Sequence, residues 1–213
     1  KYEEEFVLEN VSFKIDEGSF TAIIGANGSG KTTLAKHFNA LLAPSKGEFL
    51  VDGLNTKDDE QEARKKVGFV FQNFEDQLIY SIVEEDIAFG LENIETSHDE
   101  IKKTTRGILE RLKIKNLAKS NVNFLSSGQK QLVALAGVLA MKPRYIVFDE
   151  PATMLDVANR KNILKIINDL NKKEKITVIL VTNSLDDLKF ASEIMVMKKG
   201  RLVFHGNKRS LSE

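Results

Sequence analysis

Phe20-Thr-Ala-Ile-Ile-Gly-Ala-Asn-Gly-Ser-Gly-Lys-Thr-Thr33 passes from an apolar strand pattern, Phe20 to Ile24, through a glycine-rich loop into an amphipathic helical pattern. Gly25-x4-Gly30-Lys31-Thr32 has the spacing of a phosphate-binding loop. In such a loop Gly25, Ala26, Asn27, Gly28, Ser29 and Gly30 curl their backbone N–H groups around phosphate oxygens. The helix behind presents its positive end to them. Lys31 would reach the β- and γ-phosphates as a point charge, the Thr32 hydroxyl would ligate Mg2+, and Thr33 follows in the same first turn. A glycine-rich turn between any strand and helix is the plain alternative, but strand, loop and helix all stand in the right order. The stretch implies binding of a nucleoside triphosphate.

Composition sets the bounds. At 213 residues, 42% hydrophobic and 29% charged, the chain can bury one sizeable core, with room for a subdomain. Basic and acidic residues balance at 31 each and no long basic run stands out, which argues against nucleic acid as the main partner. The absence of cysteine excludes a disulfide framework and thiolate metal sites, and fits a cytosolic setting. No apolar run approaches the roughly 20 residues a spanning helix needs, so any membrane connection must pass through a partner. The chain opens on Lys1, without a methionine and already near strand-like sequence, which fits a piece of a longer protein.

In chain order, strands are expected over Val11–Ile15 and Phe20–Ile24, joined by the turn Asp16-Glu17-Gly18. Tyr2, upstream, carries a ring that can stack on a purine, though a lone tyrosine near a terminus is commonly just packed or exposed. A helix is expected over Lys31–Leu42, with Leu34, Phe38, Leu41 and Leu42 on its buried face, and a strand over Glu48–Val51. Val67–Phe71 reads as a buried strand ending at Gln72. Helical patterns then dominate: Val83–Leu91, Ser97–Leu112 with a capping box at Ser97 and Glu100, and Ser126–Met141. Alternation of strand and helix returns with Tyr145–Phe148, Ala158–Lys172 and Ile176–Thr182. A short helix is expected near Ser184, capped with Asp187, and a hairpin over Ile194–Met197 and Leu202–Phe204. The order implies an α/β fold with a mostly parallel sheet, antiparallel strands near the N-terminus and a helical insertion.

Two further groups carry chemistry. Tyr145-Ile-Val-Phe-Asp149-Glu150 is an apolar strand ending in two carboxylates. Asp149 is placed to hold Mg2+ through water, and Glu150 to polarise the attacking water as general base. Gln72, at another strand end, could complete the Mg2+ shell or position water. Leu125-Ser126-Ser127-Gly128-Gln129 precedes an apolar helix and reads as a capping box with Ser126 as N-cap. The same geometry makes an anion site suited to a γ-phosphate.

The phosphate loop, Gln72, the Leu-Ser-x-Gly-Gln stretch, Asp149-Glu150 and Leu155-Asp156 follow one another as in the ABC ATPases, and the resemblance covers essentially the whole chain. It implies one domain over residues 1–213, with an α/β core over about 1–72 and 143–213 and a helical subdomain over about 73–142. It also implies ATP and Mg2+ as ligands. Two such domains would sandwich two ATP molecules, with Ser126 and Gly128 of each contacting the nucleotide on the other's loop; Ser127, Gln129 and Asp156 are further nucleotide-binding residues by the same resemblance. Phe71-Gln-Asn-Phe-Glu-Asp-Gln77, the continuation to Gly90, Gln129-Lys-Gln131, Ala136–Met141 and Met154-Leu-Asp156 resemble more narrowly the energy-coupling-factor transporter ATPases of cobalt and vitamin uptake. That likeness implies a second ATPase subunit, identical or different, and a transmembrane coupling subunit gripped by about Asp76–Phe89. It further implies a separate substrate-capture membrane protein and a place on the cytoplasmic face of the membrane. Its members often carry a further C-terminal segment, and nothing after Phe204 reads as one.

Four positions depart from the pattern: Ser127 for a glycine, Leu132 for an arginine, Val157 for a proline, and Asn183 for a histidine that contacts the γ-phosphate. Asparagine donates a hydrogen bond but cannot become a cation, so slow turnover at this chain's own site is expected. A soluble ABC ATPase acting on ribosomes or DNA, or a regulatory subunit with weak hydrolysis, are the rival readings.

Overall fold

The computed structural model describes residues 7–94 and 96–211. Its centre is a six-stranded sheet built from β1 (Phe20–Ile24), β4 (Val67–Val70), β5 (Tyr145–Asp149), β6 (Thr177–Val181), β7 (Glu193–Lys198) and β8 (Arg201–Gly206). The order is β4-β5-β6-β1-β7-β8, parallel throughout except for the β7–β8 hairpin. Side chains alternate between the two faces, as the period of two requires. Phe20, Ile146, Phe148, Val178 and Leu180 enter one buried cluster, and Ile23, Val147, Ile179 and Val181 the other. Burial on both faces is what a parallel sheet covered by helices demands.

One face is covered by α1 (Lys31–Phe38), whose Leu34, Ala35 and Phe38 pack against the sheet. The other is covered by α5 (Ser127–Ala140) and α6 (Val157–Glu174). Two further helices, α3 (Val83–Glu92) and α4 (His98–Arg111), pack on α5. Their Val83, Ile87, Leu91, Ile108 and Leu109 belong to the same cluster as Phe148 and Ile163, so the helical insertion shares the core of the sheet. A short helix α2 (Glu60–Lys66) precedes β4, and α7 (Lys208–Leu211) follows β8.

Three expectations need correction. Val11–Ile15 is not a strand. Val11, Phe13 and Ile15 do pack on the α1 side of the core, but the segment makes no ladder. The small antiparallel ribbon lies later, between β2 (Leu50–Val51) and β3 (Leu54–Asn55). The first helix stops at Phe38 rather than Leu42, because Ala40 takes a left-handed φ of 52° and the Asn39 amide bonds the Val67 carbonyl. The turn Leu185–Lys189 is 3-10, and Ser184 caps nothing. Asp187 instead accepts from the Thr182 hydroxyl and the Arg160 guanidinium, both at 2.6 Å.

Candidate functional site

Parallel order brings the ends of β1, β4, β5 and β6 to one edge of the sheet, where loops carry ligand chemistry in open α/β folds. The loop after β1 is the tightest piece. Gly25 takes φ 153°, and a Cβ there would lie 2.2 Å from the Met197 carbonyl oxygen and 2.7 Å from the Ser29 hydroxyl. No larger residue fits, and the curl of the loop depends on it. Gly30, at φ 99°, is the N-cap of α1 and offers no side chain, so the N–H groups of the first turn keep their capacity for an outside acceptor. Ser29 Oγ is buried with no hydrogen-bond partner. The buried Lys31 ammonium donates to the Gly25 and Ala26 carbonyls at 2.9 and 3.1 Å, which holds it inside the curl. Uncapped N–H groups, an orphaned hydroxyl and a buried ammonium in one concavity fit a phosphate chain.

The oxygen donors stand beside it. Thr32 Oγ1 donates to Asp149 Oδ1 at 3.1 Å, joining the helix start to the end of β5. Burial pushes the Asp149 carboxyl up, as does the neighbouring Glu150 charge, against the Thr32 hydrogen bond and the Lys36 and Lys31 charges. A carboxylate disfavoured this way gains from a cation. An all-oxygen pair with few protein ligands suits Mg2+, which keeps waters and substrate phosphates in its shell. Among the described residues no three His, Cys, Asp or Glu gather as a metal cage; Asp149 and Thr32 are two oxygen donors that meet at this point, and Gln72 is turned to Glu150.

Glu150 follows with a left-handed φ of 47°, its N–H bonded to the Val181 carbonyl at 3.0 Å. Backbone strain of this kind collects at active sites and ligand clamps. Three side chains from three loops converge on its carboxylate. Gln72 Nε2 and Thr153 Oγ1 each donate to Oε2 at 3.2 Å, and Asn183 Nδ2 donates to Oε1. Asn183 Nδ2 also lies 3.1 Å from Asn27 Oδ1 in the phosphate loop. Gln72, Thr153, Asn183 and, through Asn183, Asn27 therefore form one web around Glu150, which follows Asp149 and its partner Thr32 in the chain.

Ser126, Ser127, Gly128 and Gln129 do not join it. They begin α5, where the capping box is complete: Gln129 N–H donates to Ser126 Oγ at 3.4 Å, and Ser126 N–H to Gln129 Oε1 at 2.9 Å. Ser126 and Ser127 are exposed. Gly128 is buried against α6, and a Cβ on it would meet the Asn159 side chain at 2.5 Å. Asp156 caps α6, accepting from the Ala158 and Asn159 N–H groups at 2.9 Å and from the Asn159 amide at 2.6 Å. These bonds, the Asn159 N–H foremost, hold its carboxyl below the usual range. Among the described residues none of these five bonds the phosphate loop. Tyr2 lies outside the described residues. One participant was not singled out from sequence: Thr153, a hydroxyl three positions after Glu150. The buried Asp187, read from sequence only as part of a capping signature, fixes the segment carrying Asn183.

Residues 8–153 match the ABC transporter family. The chain belongs to that family. It is 45% identical over 210 residues to the energy-coupling factor transporter ATP-binding protein EcfA1 of Clostridium perfringens, covering 98% of this chain and 75% of the relative. It is 44% identical over 202 residues to the cobalt import ATP-binding protein CbiO of Syntrophus aciditrophicus, covering 94% and 72%. Among solved structures, cbiO1 from Clostridium perfringens, part of the ABC transporter complex cbiONQ, superposes with a TM-score of 0.87 at 36% identity over 97% of this chain and 84% of that one. A dimeric ATP-binding cassette in a post-hydrolysis state, bound to ADP and Pi, gives 0.84 at 32% identity over 97% and 94%. As an ABC ATPase, the chain binds ATP and has the mixed, mostly parallel sheet of the P-loop NTPases. Among the described residues no helix is long and apolar enough to cross a membrane.

Proposed function

We propose that this ABC ATPase is the motor subunit of a membrane importer of the energy-coupling-factor type, taking up a vitamin or metal ion. It would sit on the cytoplasmic face as one half of an ATPase dimer. The observation that carries the chemistry is the convergence of Gln72, Thr153 and Asn183 on Glu150, beside the Thr32–Asp149 pair.

Lys31 and the N–H groups of the loop bind and orient the β- and γ-phosphates. Thr32 and Asp149 would hold Mg2+, which would offset charge on the phosphate oxygens. Glu150 accepts the proton of the attacking water at its carboxylate, and Gln72 keeps that carboxylate in place. Ser126, Gly128 and Asp156 serve the nucleotide on a second cassette, consistent with their separation from this chain's own loop. Residues 76–89 meet the transmembrane coupling subunit, since Ile79 and Tyr80 are exposed there at 62% and 41%. A separate membrane protein captures the substrate.

Pull-down of the chain from detergent-solubilised membranes of its source tests the assignment. Recovery of a small polytopic membrane protein with a second ATPase is expected. Recovery of ribosomal or DNA-repair proteins alone would overturn it. Turnover at this chain's own site is slow in this reading, and Asn183→His is expected to hydrolyse ATP faster. An unchanged rate removes that part.

A further inference from the structure

The amide of Asn183 has two hydrogens on Nδ2 and one acceptor, Oδ1. An ionised carboxylate only accepts, so Nδ2 and not Oδ1 must face Glu150, which fixes the orientation of the amide. The same Nδ2 reaches Asn27 Oδ1 at 3.1 Å, and the reverse orientation of Asn27 would set two donors against each other. Both hydrogens are thereby in use. What remains on the Asn183 side chain is an acceptor, which has nothing to offer a phosphate oxygen.

Its base is rigid. Asn183 sits between Thr182 and Ser184, and Ser184 N–H donates to Thr182 Oγ1 at 3.1 Å. Thr182 in turn bonds the buried Asp187, which is paired with Arg160. The other end is anchored on the exposed part of the phosphate loop.

We propose that Asn183 is a tether between the phosphate loop and Glu150, anchored by Asn27 as a positioning residue, and that it is not a phosphate ligand. The tether makes the stance of Glu150 depend on the shape of the loop, so a shift of the loop when it fills is passed to the general base. Its Oδ1 is left to accept a hydrogen from water. This rests on reading residues 25–32 as the phosphate cradle and Glu150 as the base.

The first measurement needs no nucleotide. Thermal unfolding of Asn27→Ala, Asn183→Ala and the double variant forms a cycle in the nucleotide-free protein. The double variant is expected to unfold no lower than the worse single variant. Additive losses would overturn the tether. With ATP, Asn27→Ala is expected to slow single-turnover hydrolysis about five- to tenfold while a fluorescent ATP analogue binds as before. Asn183→Asp keeps the acceptor but loses both donors, and should be slowed as much as Asn183→Ala. If Asn183→Ala weakens nucleotide binding while Asn27→Ala changes neither binding nor rate, Asn183 is a phosphate ligand and the proposal fails. Glu150→Gln separates the two readings. Wild-type hydrolysis in that variant would remove Glu150 as base, whereas the nucleotide-free cycle decides the tether by itself.

Discussion

The edge of the sheet and the helical insertion treat their polar groups in opposite ways. At the sheet edge, side chains from distant loops bond one another: Thr32 with Asp149, Gln72 with Glu150, and Asn183 with both Glu150 and Asn27. In the insertion the caps and turns close within a few residues, and the longer reaches are surface ion pairs such as Lys119 with Glu84 and Lys130 with Glu75. Ser126 and Gln129 cap each other, Ser97 accepts from Glu100 N–H, and Asp86 accepts from the Ile79 and Tyr80 N–H groups at 2.6 and 2.9 Å. Phe124, at 89% exposure, and Ile79 are left in the open. The edge is built to converge on a ligand, while the insertion holds its own shape and shows its surface to something else.

Four substitutions sharpen or break that contrast. Glu150→Gln should cut hydrolysis by about 100- to 10,000-fold, the range for loss of a general base, with nucleotide affinity retained; phosphate release and analogue titration check the two halves. Lys31→Ala should weaken nucleotide binding by about 10- to 100-fold, as for a lost charge-assisted bond, with unfolding little changed. In the insertion the balance reverses. Ser126→Ala should cost about 1 kcal/mol of stability through the lost cap, seen in denaturant unfolding, and leave monomeric nucleotide affinity untouched. A large affinity loss in the isolated monomer would mean that the α5 start serves its own loop.

The smallest effect concerns pH. Burial pushes the Asp86 carboxyl up, and the Tyr80 and Ile79 N–H groups oppose this only in part. The folded state therefore keeps this proton to higher pH than the unfolded chain does. Its contribution to stability falls as pH rises from the ordinary carboxylate range to the raised folded value, and is level above. Asp86→Asn keeps an acceptor for both N–H groups and loses the titration. The stability advantage of the variant over wild type should shrink as pH is lowered from neutral, measured by urea unfolding across a pH series. A difference independent of pH would remove Asp86 as its source.

Much of this was legible in the residues. The phosphate loop, the β5 carboxylates and the capping box are local patterns whose chemistry is written within a few positions, and the structure forms each of them. Facing was legible too: Val11, Phe13 and Ile15 point to the core as their alternation implies. Pairing was not, because a ladder needs a neighbour with free bonding groups, and side-chain period does not supply one. Leu41 and Leu42 extended the helical pattern of α1, yet the left-handed turn at Ala40 takes them out of the helix and leaves both exposed. The web around Glu150 was legible only in part. Gln72 stands out by strand-end position and Asn183 as a departure from the histidine of the family it resembles, but the Asn27 contact joins residues 156 positions apart and emerges only when the sheet is assembled.

That assembly has a kinetic side. β1 lies between β6 and β7, and the Phe20 N–H is bonded to Ser192, 172 positions later in the chain. Closing loops of that length must precede the contacts that reward them, which makes such sheets slow to form. Until Ile194 has left the ribosome, β1 lacks its second neighbour and the Met197 carbonyl that crowds Gly25 is absent. The phosphate loop is synthesised well before β7 and acquires its shape only after it.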